Sequence, residues 1–146
     1  MRRRRRPSIG ADKAIKSSPF DAAIDEALNS GDAGRVLEGQ VATYVKDDFN
    51  DLVAFDKKIG PNGSIGQIDV ESGTAIIEVT TQSAGKLGQL QDYINNTALN
   101  PSGKAVVMYA PNYTRNAARA ADKAGIHVVR NKQELLELLG SLRKEY

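Results

Sequence analysis

Two acids, Asp69 and Glu78, stand nine residues apart in QIDVESGTAIIEVTTQSAGK, residues 67–86, which also carries several hydroxyls and ends in Lys86. Two short runs rich in Ile, Val and Thr flank Ser72-Gly73, a pattern that predicts a β-hairpin. With Ser72 and Gly73 as a two-residue loop, Gln67 sits opposite Glu78. Side chains alternate along a strand, so Asp69 and Glu78 then share one face in diagonal positions. Two carboxylates converging on a sheet face repel each other unless positive charge lies between them, and a hard divalent cation supplies it. Mg²⁺ suits so small a ligand set, since it takes one or two carboxylates, waters and a substrate phosphate; Mn²⁺ or Zn²⁺ is the alternative. A lysine close by can position a water or stabilise developing negative charge. The same spacing also fits an exposed hairpin whose acids keep a sheet edge soluble.

No other segment offers a competing set. The chain has 146 residues and no cysteine, which removes disulfides, thiolate zinc sites and a cysteine nucleophile. The single histidine, His127, lies in an apolar run, where a packed, hydrogen-bonded ring is expected rather than a catalytic base. No Ser-His-Asp triad is therefore attractive. The glycine-containing loop 60–66 lacks the Gly-Lys-Ser/Thr ending of a phosphate-binding loop, and no Gly-x-Gly-x-x-Gly follows a strand. No apolar run approaches the length of a membrane span.

The formal net charge is +2, of which Arg2 to Arg6 supply +5, leaving −3 for the remainder. The basic character belongs to a leader. Its arginines read as a loose basic tail over residues 1–17, able to touch nucleic acid or another acidic surface non-specifically. They are not followed by the apolar segment that a signal peptide requires. Residues 18–146 read as one domain.

The elements that must position the acids follow from periodicity. Ser18-Pro19 reads as a helix start, with Phe20, Ile24 and Leu28 at helical spacing. Asp32 caps a second helix bearing the stripe Val36, Leu37, Val41, Tyr44 and Val45. Glu38 borders that stripe, at the edge of a core or cleft. Leu52–Lys57 reads as a strand, residues 84–97 as a helix, Ala105–Tyr109 as a strand buried on both faces, and Thr114–Lys123 as a helix stopped by Gly125. Ile126–Val129 reads as a buried strand, and leucines at 135, 136, 138, 139 and 142 predict a last helix. The order α, α, β, β, β, α, β, α, β, α predicts an α/β (α+β) fold with a mixed sheet of about five strands, antiparallel first and parallel last, flanked by helices.

Asp69, then Glu78-Val79-Thr80, then a helix, inside an αβββαβ order, resembles the PD-(D/E)XK superfamily of nucleases, the restriction-endonuclease-like fold. That motif is an acid on one strand and acid-x-lysine on the next. Thr80 stands where the lysine is expected, and no proline precedes Asp69. Members of the superfamily are similar in sometimes moving the lysine to the following helix, which Lys86 opens. The resemblance implies a metal-dependent nuclease in which Asp69 and Glu78 hold the metal and Lys86 serves the nucleophile. Glu38, Gln67, Thr80 and Gln82 are second-rank candidates for the same pocket, Glu38 reading equally as a solvated helix glutamate, and Lys104 and Arg115 are candidates for phosphate contacts or plain surface charge. GQIDVESGTAIIEVTTQSAGKLGQLQDYINN and NPSGKAVVMYAP further resemble C-terminal nuclease domains of bacterial polymorphic toxins, particularly contact-dependent growth inhibition effectors. This implies cleavage of nucleic acid, tRNA foremost, and a cognate immunity protein that blocks the site. It also implies secretion within a larger effector that acts in the target-cell cytoplasm. The alternatives are a DNA endonuclease of the same fold, of a repair or restriction type, and a non-catalytic nucleic-acid-binding module tethered by the arginine tail. A cytoplasmic location goes with these.

Overall fold

A computed structural model describes residues 18–145; the basic leader and its arginines lie outside the described residues. The elements are α1 (Asp21–Leu28), α2 (Ala33–Phe49), β1 (Leu52–Ile59), a 3₁₀ turn (Pro61–Gly63), β2 (Gly66–Ser72), β3 (Ala75–Val79), α3 (Leu87–Asn95), β4 (Ala105–Tyr109), α4 (Arg115–Lys123), β5 (His127–Val129) and α5 (Lys132–Glu145). Their order is the expected one. The five strands form one sheet in the order β1-β2-β3-β4-β5, antiparallel from β1 to β3 and parallel from β3 to β5.

The helices form two layers, because each face of the sheet must bury an apolar surface. On one face Ile24 and Ala27 of α1, Val41, Ala42 and Val45 of α2, and Leu135, Leu139 and Leu142 of α5 pack with Val70, Ile77, Val79 and Val107. On the other, Leu90 and Tyr93 of α3 and Ala121 of α4 pack with Ile68, Ile76, Val106 and Met108. Each fully buried Val, Leu or Ile contributes about 1.5–3 kcal/mol relative to exposure. β3, Ala-Ile-Ile-Glu-Val, is buried at every position, so its one charged residue is held in an apolar platform.

Local chemistry sets the ends. Asp32 caps α2, its Oδ1 accepting the Arg35 N–H at 3.0 Å. Thr114 caps α4 through the Ala117 N–H at 3.1 Å. α1 begins at Asp21 rather than at Pro19, because Ser18 spends its hydroxyl on the Phe20 N–H (3.1 Å) and its carbonyl on the Asp21 N–H (3.1 Å) in a preceding turn.

The hairpin differs from the expected one in register. Val70 pairs with Ile77 and Glu71 with Ile76, so the turn is centred on Gly73-Thr74. Ser72 Oγ stabilises that turn by accepting the N–H groups of Thr74 (3.2 Å) and Ala75 (3.0 Å). Continued one step past the last pair, this register brings Asp69 level with Glu78 instead of diagonal to it; Ile68 and Val70 bury against opposite faces, so strict alternation along β2 is interrupted at Asp69. His127 departs from expectation more sharply. It is exposed, because β5 is a three-residue edge strand with no neighbour beyond it.

Candidate active site

The β2–β3 ladder lasts two residue pairs and then opens. Thr80 gives its N–H to the Tyr109 carbonyl of β4 at 3.0 Å, so the Val79 N–H points the other way, towards β2. No backbone carbonyl takes it. Asp69 Oδ2 accepts it instead, at 2.9 Å. The carboxylate thus sits in the mouth where the strands part, and Glu78, one residue earlier on β3, faces it. Asp69 is 8% exposed and Glu78 4%.

Lys86 completes the group, its Nζ lying 3.2 Å from Glu78 Oε2. It reaches the acids from the N-cap of α3, where its backbone is left-handed at φ 70, following Gly85 at φ 100. A non-glycine residue in that region costs about 1–2 kcal/mol, so the surroundings must impose it. The turn after β4 does so. Asn112 Nδ2 donates to the Thr81 carbonyl at 3.0 Å, the Thr114 N–H donates to the Ser83 carbonyl at 2.9 Å, and the Tyr113 hydroxyl donates to the Gly85 carbonyl. Three consecutive residues therefore clamp every second carbonyl of the loop that presents the lysine.

The electrostatics follow from burial. Desolvation, then the Asp69 charge, pushes the Glu78 carboxyl up to about 8, against the pull of Lys86. Asp69 is also raised, mainly by burial, with the Val79 N–H, a hydrogen bond shared with Glu78, and Lys86 opposing the rise. Glu38, half-buried on α2, is pushed up to about 7 by burial and then by Asp69 and Asp56, while Arg35 and Lys86 act the other way. The site holds more buried negative charge than its one lysine offsets.

The chain matches no family model, no curated protein and no solved structure. The site is therefore read from its own geometry.

Of the residues singled out by sequence, the fold brings together Asp69, Glu78 and Lys86, with Glu38 close enough to feel the acids' charge. Gln67 is one step removed: it is exposed, its Nε2 donates to Asp56, and its carbonyl accepts the Tyr93 hydroxyl. Thr80 is buried and braces the loop, its Oγ1 accepting the Gln82 N–H at 3.1 Å; Gln82 itself is exposed. Arg115 is exposed at the start of α4, on the site's side of the sheet. Lys104 is elsewhere. It precedes β4 and lies at the turn end of the hairpin, where Nζ meets Glu71 Oε2 at 2.5 Å and the Ser72 carbonyl at 2.8 Å. That engagement removes it from the phosphate-contact set.

Sequence reasoning missed Asp56 and the clamp. Asp56 occupies the register position across from Asp69 but adopts φ 54 inside β1, and Arg35 Nη1 lies 3.7 Å from its Oδ2. An aspartate inside an apolar run is a poor strand residue, and that was the available signal. Tyr93, buried on α3, has its hydroxyl pushed up by burial first and then by the Glu78 charge.

The donor set is two facing carboxylates, all oxygen. Among the described residues no three His, Cys, Asp or Glu side chains are grouped to hold a metal ion. Two facing carboxylates are a donor set that Mg²⁺ or Mn²⁺ accepts, completing its shell with water or substrate oxygens. The set does not fit a protein-ligated Zn²⁺, since the nearest histidine in sequence terms, His127, stands two strands from Glu78 on β5. Among the described residues no helix is long and apolar enough to cross a membrane.

Proposed function

We propose that this chain is a Mg²⁺-dependent phosphodiesterase of the restriction-endonuclease-like kind that cleaves nucleic acid, tRNA foremost. The observation that carries the reading is the Lys86 ammonium 3.2 Å from Glu78 in a buried pair of facing acids. Asp69 and Glu78 would hold the cation, which when bound neutralises phosphoryl charge and acidifies a water. Asp69 is fixed for this by the Val79 N–H, which holds its Oδ2 at 2.9 Å. Lys86 orients the attacking water and stabilises negative charge on the phosphoryl oxygens, from a backbone locked in advance. Water adds to phosphorus, the bridging P–O bond breaks, and the departing oxygen takes up a proton. The apolar platform of β3 keeps bulk water from screening these charges.

The likeness of residues 66–96 and 100–111 to polymorphic toxin nucleases supports the rest: a toxin domain carried on a secreted effector, working in the target-cell cytoplasm and held inactive by a cognate immunity protein. The deciding experiment incubates the full chain with total tRNA and with plasmid DNA, in Mg²⁺, in Mn²⁺ and in EDTA. Metal-dependent RNA cleavage is expected, reduced at least about 10²-fold by Asp69→Asn or Glu78→Gln. Full activity of either variant would sink the assignment; cleavage of the plasmid alone would move it to DNA.

A further inference from the structure

Charge is distributed unevenly over the fold. Residues 18–56 hold nine acids against two bases, whereas residues 101–146 hold eight bases against four acids. The acidic segment includes α1 and α2, which cover one face of the sheet together with α5, whose three acids and three bases cancel; on the other face α3 and α4 hold three bases against two acids. Strand alternation places Glu78 with Ile76 on the opposite face, the one covered by α3 and α4. A polyanion approaching the acids is thus repelled from the first face and drawn to the second.

On that second face α4 reads Arg-Asn-Ala-Ala-Arg-Ala-Ala-Asp-Lys. Ala117, Ala121 and Ala124 pack inward. Arg115, Arg119 and Lys123 recur every fourth residue on the outward side, and all three are exposed. Among the described residues none of the three enters an ion pair, although Arg35, Lys46, Lys86, Lys104 and Lys132 all do. Asp122 is the helix's one acid. Four residues rise about 6 Å, so the three cations form a line about 12 Å long. The line starts beside the acids' own loop, since Thr114, the cap of α4, is bonded to Ser83.

We propose that α4 is a rail for the sugar–phosphate backbone flanking the scissile bond. Arg115 meets the phosphate nearest the acids, and Arg119 and Lys123 meet those beyond it. The inference rests on the reading of nucleic acid as substrate and adds where and in which direction the strand lies. Charge complementarity favours a phosphate backbone over an acidic protein, because a fixed row of monoanions matches a regular row of cations.

The test uses the full chain carrying Glu78→Gln, so that binding is measured without turnover. Affinity for a labelled single-stranded RNA oligonucleotide is followed by anisotropy over a KCl series. Adding Arg115→Gln, Arg119→Gln and Lys123→Gln together should lower the slope of log K against log[KCl] by about 2, as expected for three lost phosphate contacts. Lys57→Gln, Lys58→Gln and Lys144→Gln, three exposed lysines away from α4, should leave it nearly unchanged. In the otherwise wild-type chain the α4 triple variant should raise KM about tenfold or more with kcat within about twofold. An unchanged slope, or an equal change in the control, overturns the rail and leaves the nuclease reading intact. A slope that falls as expected in a chain that cleaves nothing with any metal keeps the rail and removes the nuclease. No binding by the parent overturns both.

Discussion

The sheet carries two lysine–glutamate pairs, one towards each end, and they are built for opposite purposes. At the hairpin turn Lys104 meets Glu71 at 2.5 Å, with side chains only 14% and 13% exposed. Its ammonium also reaches the Ser72 carbonyl, and Asn100 brackets its backbone with two hydrogen bonds of 2.8 Å. One cation meets one anion, and a second donor of the same ammonium is used by a carbonyl. At the open end Lys86 meets Glu78 at 3.2 Å, more loosely and with the lysine 27% exposed. There a second buried carboxylate, Asp69, and a third half-buried one, Glu38, share the same lysine. A balanced buried pair ties strands together. An unbalanced one leaves negative charge unsatisfied in the folded state, and that deficit is what a cation can fill.

Exchanging the damage between the two pairs is the strongest way to break this comparison. Lys86→Ala should lower kcat by about 10²–10⁴-fold while shifting the midpoint of urea unfolding little. Lys104→Ala should do the reverse, leaving kcat within about twofold but destabilising by about 1–3 kcal/mol, since it leaves the half-buried Glu71 without its partner. Similar kinetic losses in both would erase the distinction.

A pH series sharpens it. Glu78 moves from an ordinary 4.5 to about 8 on folding, and Glu38 to about 7. A carboxyl whose folded pKa is raised adds stability only while protonated. Its contribution is complete below about pH 4.5 and is lost as pH climbs to about 8. Metal-free protein should therefore lose stability on the order of a few kcal/mol across that window. Glu78→Gln should flatten most of the loss, and Mg²⁺ at pH 8 should restore it in the wild type but not in the variant. Urea melts in EDTA and in Mg²⁺ read this directly; a wild-type profile that parallels Glu78→Gln would refute the unbalanced site.

The smallest expected effect belongs to the clamp. Tyr113→Phe removes the hydroxyl bonded to the Gly85 carbonyl, which should cost about 1 kcal/mol of stability. It should also lower kcat on the order of tenfold at unchanged KM, because Lys86 loses part of what fixes its left-handed backbone. Tyr109→Phe, a buried tyrosine of the sheet with no part in the clamp, serves as the kinetic control.

Element order was legible because each segment announced itself locally. Asp32 as a cap, the Ala-rich face of α4 and the positive-φ Gly125 after it all behave as their residue types require. The acids were legible as a pair because a hairpin of either register brings Asp69 and Glu78 close together, although the turn was misplaced onto Ser72-Gly73. Ser72 serves that turn with its hydroxyl instead, a choice that spacing does not reveal. His127 was misread because a continuous apolar run looks the same in a central strand and in an edge strand. Lys104 was misread because its partner, Glu71, is 33 residues away in sequence. Asp56 stayed hidden for a third reason: its left-handed backbone within a strand is imposed by tertiary packing, not by any local pattern.

The clamp has a consequence for the order in which the protein becomes competent. Asp69 and the Val79 N–H are 10 residues apart, so the acids meet as soon as one hairpin closes. Lys86 acquires its geometry only when Asn112, Tyr113 and Thr114 arrive, across separations of 28 to 31 residues for the two side-chain bonds. Long-range closure is the slower event, and a chain made from its N-terminus supplies that turn last. A nascent or truncated chain ending before Pro111 would carry the acids without the contacts that fix the loop of Lys86, so the three-residue group is complete only once the last third of the chain has docked.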